Sequence, residues 1–186
     1  HTSLIVNGIP SNDPESGWAI WSYWGGLNDM TRYPEVRNGI SSSHKTFGGV
    51  GGYSYISLRP TDKRKGHRIS YSSTNRAYRN RLMYSFNSGL TEKGWAISTC
   101  ISGRWSDEGY VSGTYYSAMG YLLSIEKKLN NSHSISLAGF AAPTVQGRQG
   151  IAIQEAYELT DDNFYNPYWE YQTQANVTQK KRNARI

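Results

Sequence analysis

From Trp95 to Trp105 the residues alternate strictly between two kinds of side chain. One set is Trp95, Ile97, Thr99, Ile101, Gly103 and Trp105; the other is Ala96, Ser98, Cys100, Ser102 and Arg104. A period of two is the period of a β-strand, with one face apolar and the other small and polar. At a rise of ~3.3 Å per residue the two Trp stand roughly 33 Å apart along the strand. Tilted by ~40°, such a strand climbs about 25 Å, the height of the apolar band on an outer-membrane barrel, and each Trp falls where an aromatic girdle sits.

The neighbouring segments repeat the pattern. Tyr78, Leu82, Tyr84 and Phe86 share a face opposite Arg79, Arg81, Ser85 and Asn87. Tyr115, Met119, Tyr121, Leu123 and Ile125 share another, opposite Ala118, Gly120, Ser124 and Glu126. A shorter segment sets Ile135 and Leu137 against Ser134 and Ser136. The period predicts strands near 68–75, 78–88, 95–105, 115–127 and 133–141. After the second of these the connections run short, long, short, long, ending in a loop from Ala142 to Ile186. Transmembrane barrels alternate in this way, with short turns at one rim and long loops at the other. The tight Asn75-Arg76-Ala77 turn breaks the strict alternation. A soluble β-sandwich also alternates, but it needs neither girdle-spaced aromatics nor such polar inward faces.

Composition bounds the remaining choices. The 186 residues include 6 Trp, 15 Tyr, 4 Phe and 19 Gly, with only 37% hydrophobic residues. No window approaches the ~20 apolar residues of a membrane-spanning helix, which excludes a helical membrane protein. The start shows no basic region followed by an apolar one, so no secretory signal is visible, and the opening His1 in place of Met suggests a true N-terminus further upstream. A single Cys excludes an internal disulfide framework and a Cys-based zinc site. The net charge of +6 is spread, with clusters at Lys63–Arg68, Arg76–Arg81 and Lys180–Arg182. The stretch Arg76–Tyr84 superficially interleaves cations with aromatics as a nucleic-acid face does. Arg79 and Arg81 on one face of a strand whose other face is apolar account for it better, and no nucleic-acid partner is expected.

Residues 1 to 60 have a different texture, with short strands in glycine-rich connections. They include Leu4–Pro10, the aromatic run Trp18–Trp24 ending at Gly25-Gly26, a helical turn around Leu27 to Arg32, and a strand at Tyr53 to Leu58. The basic Lys63–Lys65 stretch reads as a hinge. Trp18, Trp21, Tyr23 and Trp24 have two readings, as ligand-stacking groups or as packing of a small module.

No catalytic constellation emerges. Asp161-Asp162 and Asp107-Glu108 are neighbouring carboxylates of solvated loops, and the His at 1, 44, 67 and 133 have no metal-ligand spacing. Ser41–Ser43 beside His44 lacks the nucleophile-elbow glycines, Gly48–Gly52 lacks the Lys of a phosphate loop, and Cys100 has no activator. The expectation is a protein that is not an enzyme, with no cofactor and no metal.

Three motifs then fall in order over about fifty residues. Leu4-Ile5-Val6-Asn7-Gly8-Ile9-Pro10 is similar to the V-x-V-D/N-G-V-P strand of the TonB-dependent outer-membrane receptors. Glu35-Val36-Arg37-Asn38-Gly39-Ile40-Ser41-Ser42-Ser43 resembles their E-V-x-R-G-P-S-S, with Asn38 and Ile40 in place of the family's Arg and Pro. Phe47–Ile56 is similar to their Y-G-x-x-A-x-G-G-V-I-N-I, loosely kept in its second half. The segments Arg104–Val111 and Gly147–Ile151 look like the subgroup with an N-terminal carboxypeptidase-regulatory-like domain.

The resemblance implies a mainly β chain: residues 1–62 as the C-terminal part of a plug domain (α+β), and 63–186 as the first antiparallel strands and outer loops of a transmembrane β-barrel. Such barrels have 22 strands, and five strands leave edges that lipid cannot satisfy, so the chain is expected to be a fragment of a larger one. The implied activity is active import of a solute (siderophore, vitamin, oligosaccharide or peptide) across the bacterial outer membrane. Implied partners are a TonB-type energy-transducing inner-membrane protein, the solute, outer-membrane lipid and, as an option, a surface lipoprotein. Candidate solute contacts are Trp18, Trp21, Tyr23 and Trp24 at the plug apex, with Arg79 and Arg81 facing the lumen. The rival readings are a non-transporting scaffold of an outer-membrane assembly and a soluble β-rich polyanion-binding module.

Overall fold

The computed structural model describes residues 2–31, 33–40, 50–169, 171–174 and 177–180. The chain is mainly β, in two antiparallel-rich sheets and a terminal hairpin. Contacts group it into two compact units. The first comprises His1–Ile69, Tyr84–Ile101 and Gly120–Ala142; the second comprises Ser70–Met83, Ser102–Met119 and Pro143–Ile186. The boundary expected at 62/63 falls inside the first unit.

The first unit holds a small mixed sheet of β1 (Ser3–Val6), β2 (Ile9–Pro10), β3 (Glu35–Arg37) and β4 (Tyr53–Ile56), in the order β2-β1-β4-β3. β1 and β2 form a hairpin across Asn7-Gly8, both with positive φ (48° and 87°). That is the conformation a tight two-residue turn demands and Asn-Gly supplies. The Asn7 side chain is used as well, its Oδ1 accepting from the Leu58 N–H at 2.8 Å. β1 runs parallel to β4, Ser3 opposite Tyr53 and Val6 opposite Ile56. At Gly52 (φ +74°) an added Cβ would run into the Arg37 carbonyl, so the entry to β4 requires glycine. Leu4, Ile5, Trp24, Leu27, Met30, Tyr53, Ile56 and Leu58 are buried and form the core.

Within the aromatic run Trp18–Trp24, a 3₁₀ turn, η1 (Trp21–Trp24), follows an isolated bridge between Asn12 and Ala19. The Ser41–Ser43 and Phe47–Gly49 parts of the receptor-like motifs lie outside the described residues.

The larger sheet contains β5 (Gly66–Ser73), β6 (Asn80–Asn87), β7 (Trp95–Ser106), β8 (Tyr116–Lys128), β9 (Ser134–Ala141) and β10 (Thr144–Gln146). Its order is β10-β8-β7-β6-β5, with β9 also on β8. The five expected strands all form, within two residues of their predicted ends. The long last loop is a correction, because it begins as strand. β9 pairs Ala141 with Tyr121 and β10 pairs Thr144 with Ala118, one unbroken register on β8. The strand assignment lapses only at Ala142-Pro143, where proline has no N–H for the ladder. Farther on come a short helix, α1 (Gln154–Thr160), and a hairpin of β11 (Tyr171–Gln174) with β12 (Val177–Lys180).

Burial along these strands is inverted relative to a water-soluble sheet. On β7, Ala96, Ser98, Cys100 and Ser102 are buried, while Trp95, Ile97, Ile101 and Trp105 are exposed. On β8, Ala118, Leu122, Ser124 and Glu126 are buried, while Met119, Tyr121 and Leu123 are exposed. Ser98 and Ser124 are 0% accessible where Ile101 is 52%.

Candidate functional site

In the first unit Asp29 and Pro60 make polar contacts with the buried polar face. Asp29 accepts from Ser85 Oγ at 2.9 Å and lies 3.5 Å from the Arg68 guanidinium. The Pro60 carbonyl accepts from Asn87 Nδ2 at 3.1 Å. Lys63 Nζ donates to the carbonyls of Met30 (2.7 Å) and Ser57 (3.3 Å), and burial holds its pKa below the usual lysine value against the opposing pull of Asp62.

Glu126 centres the strongest of these contacts. Its carboxylate is 1% exposed and lies on the small-residue face of β8. Oε1 accepts from Arg59 Nε at 3.1 Å and from Arg59 Nη2, and Oε2 accepts from Thr61 Oγ1 at 2.7 Å. Arg59 Nη2 also donates to Ser134 Oγ at 3.1 Å, and the bond to Glu126 is the main cause raising the Arg59 pKa. The sequence signal for this pair was a lone carboxylate among Ala, Gly and Ser; its partner 67 positions away had none.

A cleft of about 790 Å³ opens in the same unit, lined among others by Asp29, Asp62, Lys63, Arg64, His67 and Arg68. Both charge signs meet there, so it offers no single-sign field.

The aromatic candidates part company. Trp18 and Trp21 are 66% and 56% exposed, whereas Trp24 is 6% exposed and stacks on Phe140 with ring centroids 4.1 Å apart. The Tyr23 side chain lies outside the described residues. Trp24→Ala is expected to lower stability by about 3 kcal/mol, the loss of a buried aromatic, and Trp21→Ala to change it by less than about 0.5. Denaturant unfolding of the two variants checks this, and equal losses would contradict the assignment.

Arg79 and Arg81 belong to the second unit. Arg79 is exposed, its backbone N–H pairing with the Trp105 carbonyl, and Arg81 is half-buried. One expectation is corrected here. Tyr78 does not share the apolar face of Leu82, because β6 begins only at Asn80. Its ring lies 5.6 Å from that of Tyr116, with the Arg104 guanidinium 5.7 Å and 5.4 Å from the two rings. Connecting segments of this unit are tied by buried Asn166, which donates to the Ser112 carbonyl and accepts from the N–H of Gly150 and Tyr168.

Among the described residues no group of three His, Cys, Asp or Glu is placed to hold a metal, and no helix is long and apolar enough to cross a membrane. Compared with known protein families, curated proteins and solved structures, the chain matches none.

Proposed function

We propose that the chain is part of a TonB-dependent outer-membrane receptor. Residues 1–62 are the C-terminal part of its plug, and the strands from β5 onward are the first of its transmembrane barrel. Its activity is then active import of a solute across the bacterial outer membrane, driven by a TonB-type inner-membrane partner. The observation that carries this reading is the inverted burial of β7 and β8. Water would drive Trp95, Ile97, Ile101 and Leu123 inward and leave serines outside, since burying each large apolar side chain gains about 1.5–3 kcal/mol. Lipid removes that drive and reverses the preferred faces. The polar contacts from Asp29 and Pro60 onto the buried face suit a plug held inside a barrel wall, and Trp18 and Trp21 are exposed where a solute could reach them.

Fractionation of cells expressing the full-length protein provides the test. The expected result is recovery in the outer-membrane fraction with a folded form whose gel mobility changes on heating. Recovery as a soluble monomer without detergent would sink the reading in favour of a soluble polyanion-binding module. An outer-membrane protein whose deletion leaves solute uptake intact would instead be the scaffold.

A further inference from the structure

The polar face of the second unit carries two arginines whose Nε atoms have no hydrogen-bond partner among the described residues. Arg81 Nε and Arg104 Nε are enclosed and lack a hydrogen-bond partner, and so do the hydroxyls of Ser70 and Ser102. These residues stand on three adjacent strands, β5, β6 and β7. The bond from Arg79 N–H to the Trp105 carbonyl sets Arg81 across from the Ser102–Arg104 end of β7. Ser102 is 2% exposed, and Arg81 alternates with buried Met83 as Arg104 does with buried Ser102, so all three share the inward face.

Enclosed donors are normally satisfied, and two unsatisfied guanidinium nitrogens on neighbouring strands call for an explanation. Charge sharpens the point. The ion pairs among the described residues are Arg37–Glu35, Arg59–Glu126 and Arg68–Asp29, and neither Arg81 nor Arg104 takes part in one. Two guanidinium groups thus stand on neighbouring strands, and among the described residues no carboxylate is paired with either. Each guanidinium edge presents two parallel N–H donors from Nε and Nη, the fork that matches two oxygens of an oxyanion. Tyr78 and Tyr116 contribute by holding the Arg104 plane against their rings.

The geometry points to an oxyanion site at Arg81 and Arg104, beside Ser102, which receives a sulfate, phosphate or carboxylate group. In the receptor reading the group belongs to the imported solute, which makes that solute anionic; this assignment rests on that reading, while the site itself does not.

Calorimetric titration of the full-length protein in detergent with sodium sulfate, at ionic strength fixed with chloride, tests the site. Saturable binding at one site is expected, weakened roughly tenfold or more by either Arg81→Gln or Arg104→Gln and abolished by both together. Arg104→Lys keeps the charge and loses the fork, so it should also weaken binding while its unfolding midpoint stays that of the native protein. Absence of saturable sulfate binding, or unchanged affinity in the double variant, overturns the proposal. Outer-membrane fractionation reports separately: sulfate binding by a protein outside that membrane keeps the site and removes the solute, and an outer-membrane protein blind to sulfate does the reverse.

Discussion

Ile101→Arg, and independently Leu123→Arg, should each destabilise the folded full-length protein in lipid by about 2–4 kcal/mol and reduce its assembly into the outer membrane. The two side chains are 52% and 50% exposed, near the middle of β7 and β8. In water an exposed position of this kind tolerates arginine within about 0.5 kcal/mol. At the midplane of a bilayer the same charge must be taken into hydrocarbon, and the cost reaches the larger figure, falling toward zero near the interfaces. One substitution therefore separates the two environments. Urea unfolding from phosphatidylcholine vesicles gives the number, with Ser132→Arg in the short turn as a control expected to be silent. Losses below about 0.5 kcal/mol at both apolar positions would mean that this face never meets lipid.

The period of two was legible because nothing competes with it on a strand whose faces meet opposite surroundings. Trp95–Trp105 displays it without a break, and β7 runs Trp95–Ser106. The same rule failed at Tyr78, two residues before β6 begins, where backbone geometry no longer alternates. It also missed β10, because Pro143 looks like the start of a loop and is only a gap in a ladder whose register continues. In the first sixty residues Asn7-Gly8 announces its turn, but the parallel pairing of β1 with β4 joins positions about fifty apart and has no local signature.

The candidate site was less legible than the fold for a related reason. Trp18, Trp21 and Trp24 are alike in sequence, and only tertiary packing sends Trp24 onto Phe140 while leaving the other two exposed. Arg81 was visible as an inward charge on a strand. Arg104 was visible on the polar face of β7, but its significance depends on Tyr78 and Tyr116 arriving from other segments.

The contact of Arg59 with Glu126 yields the other large effect, and its asymmetry is the informative part. Arg59→Met should cost more than Glu126→Gln: about 3–5 kcal/mol against about 1–3. The reason lies in which partner water can reach. The Arg59 side chain is 41% exposed, so losing the carboxylate leaves a cation that solvent can stabilise. Glu126 is 1% exposed, and among the described residues Thr61 alone remains to donate to it without Arg59. An uncompensated carboxylate on that buried face is the more expensive orphan. Removing both charges, in Arg59→Met with Glu126→Gln, should recover most of the loss of the first single variant, because no buried charge is left unpaired. Denaturant unfolding of the three variants closes the cycle. If Glu126→Gln proved the costlier single change, or if the double variant were no better than Arg59→Met, the pair would not be what fastens residues 59–61 onto β8.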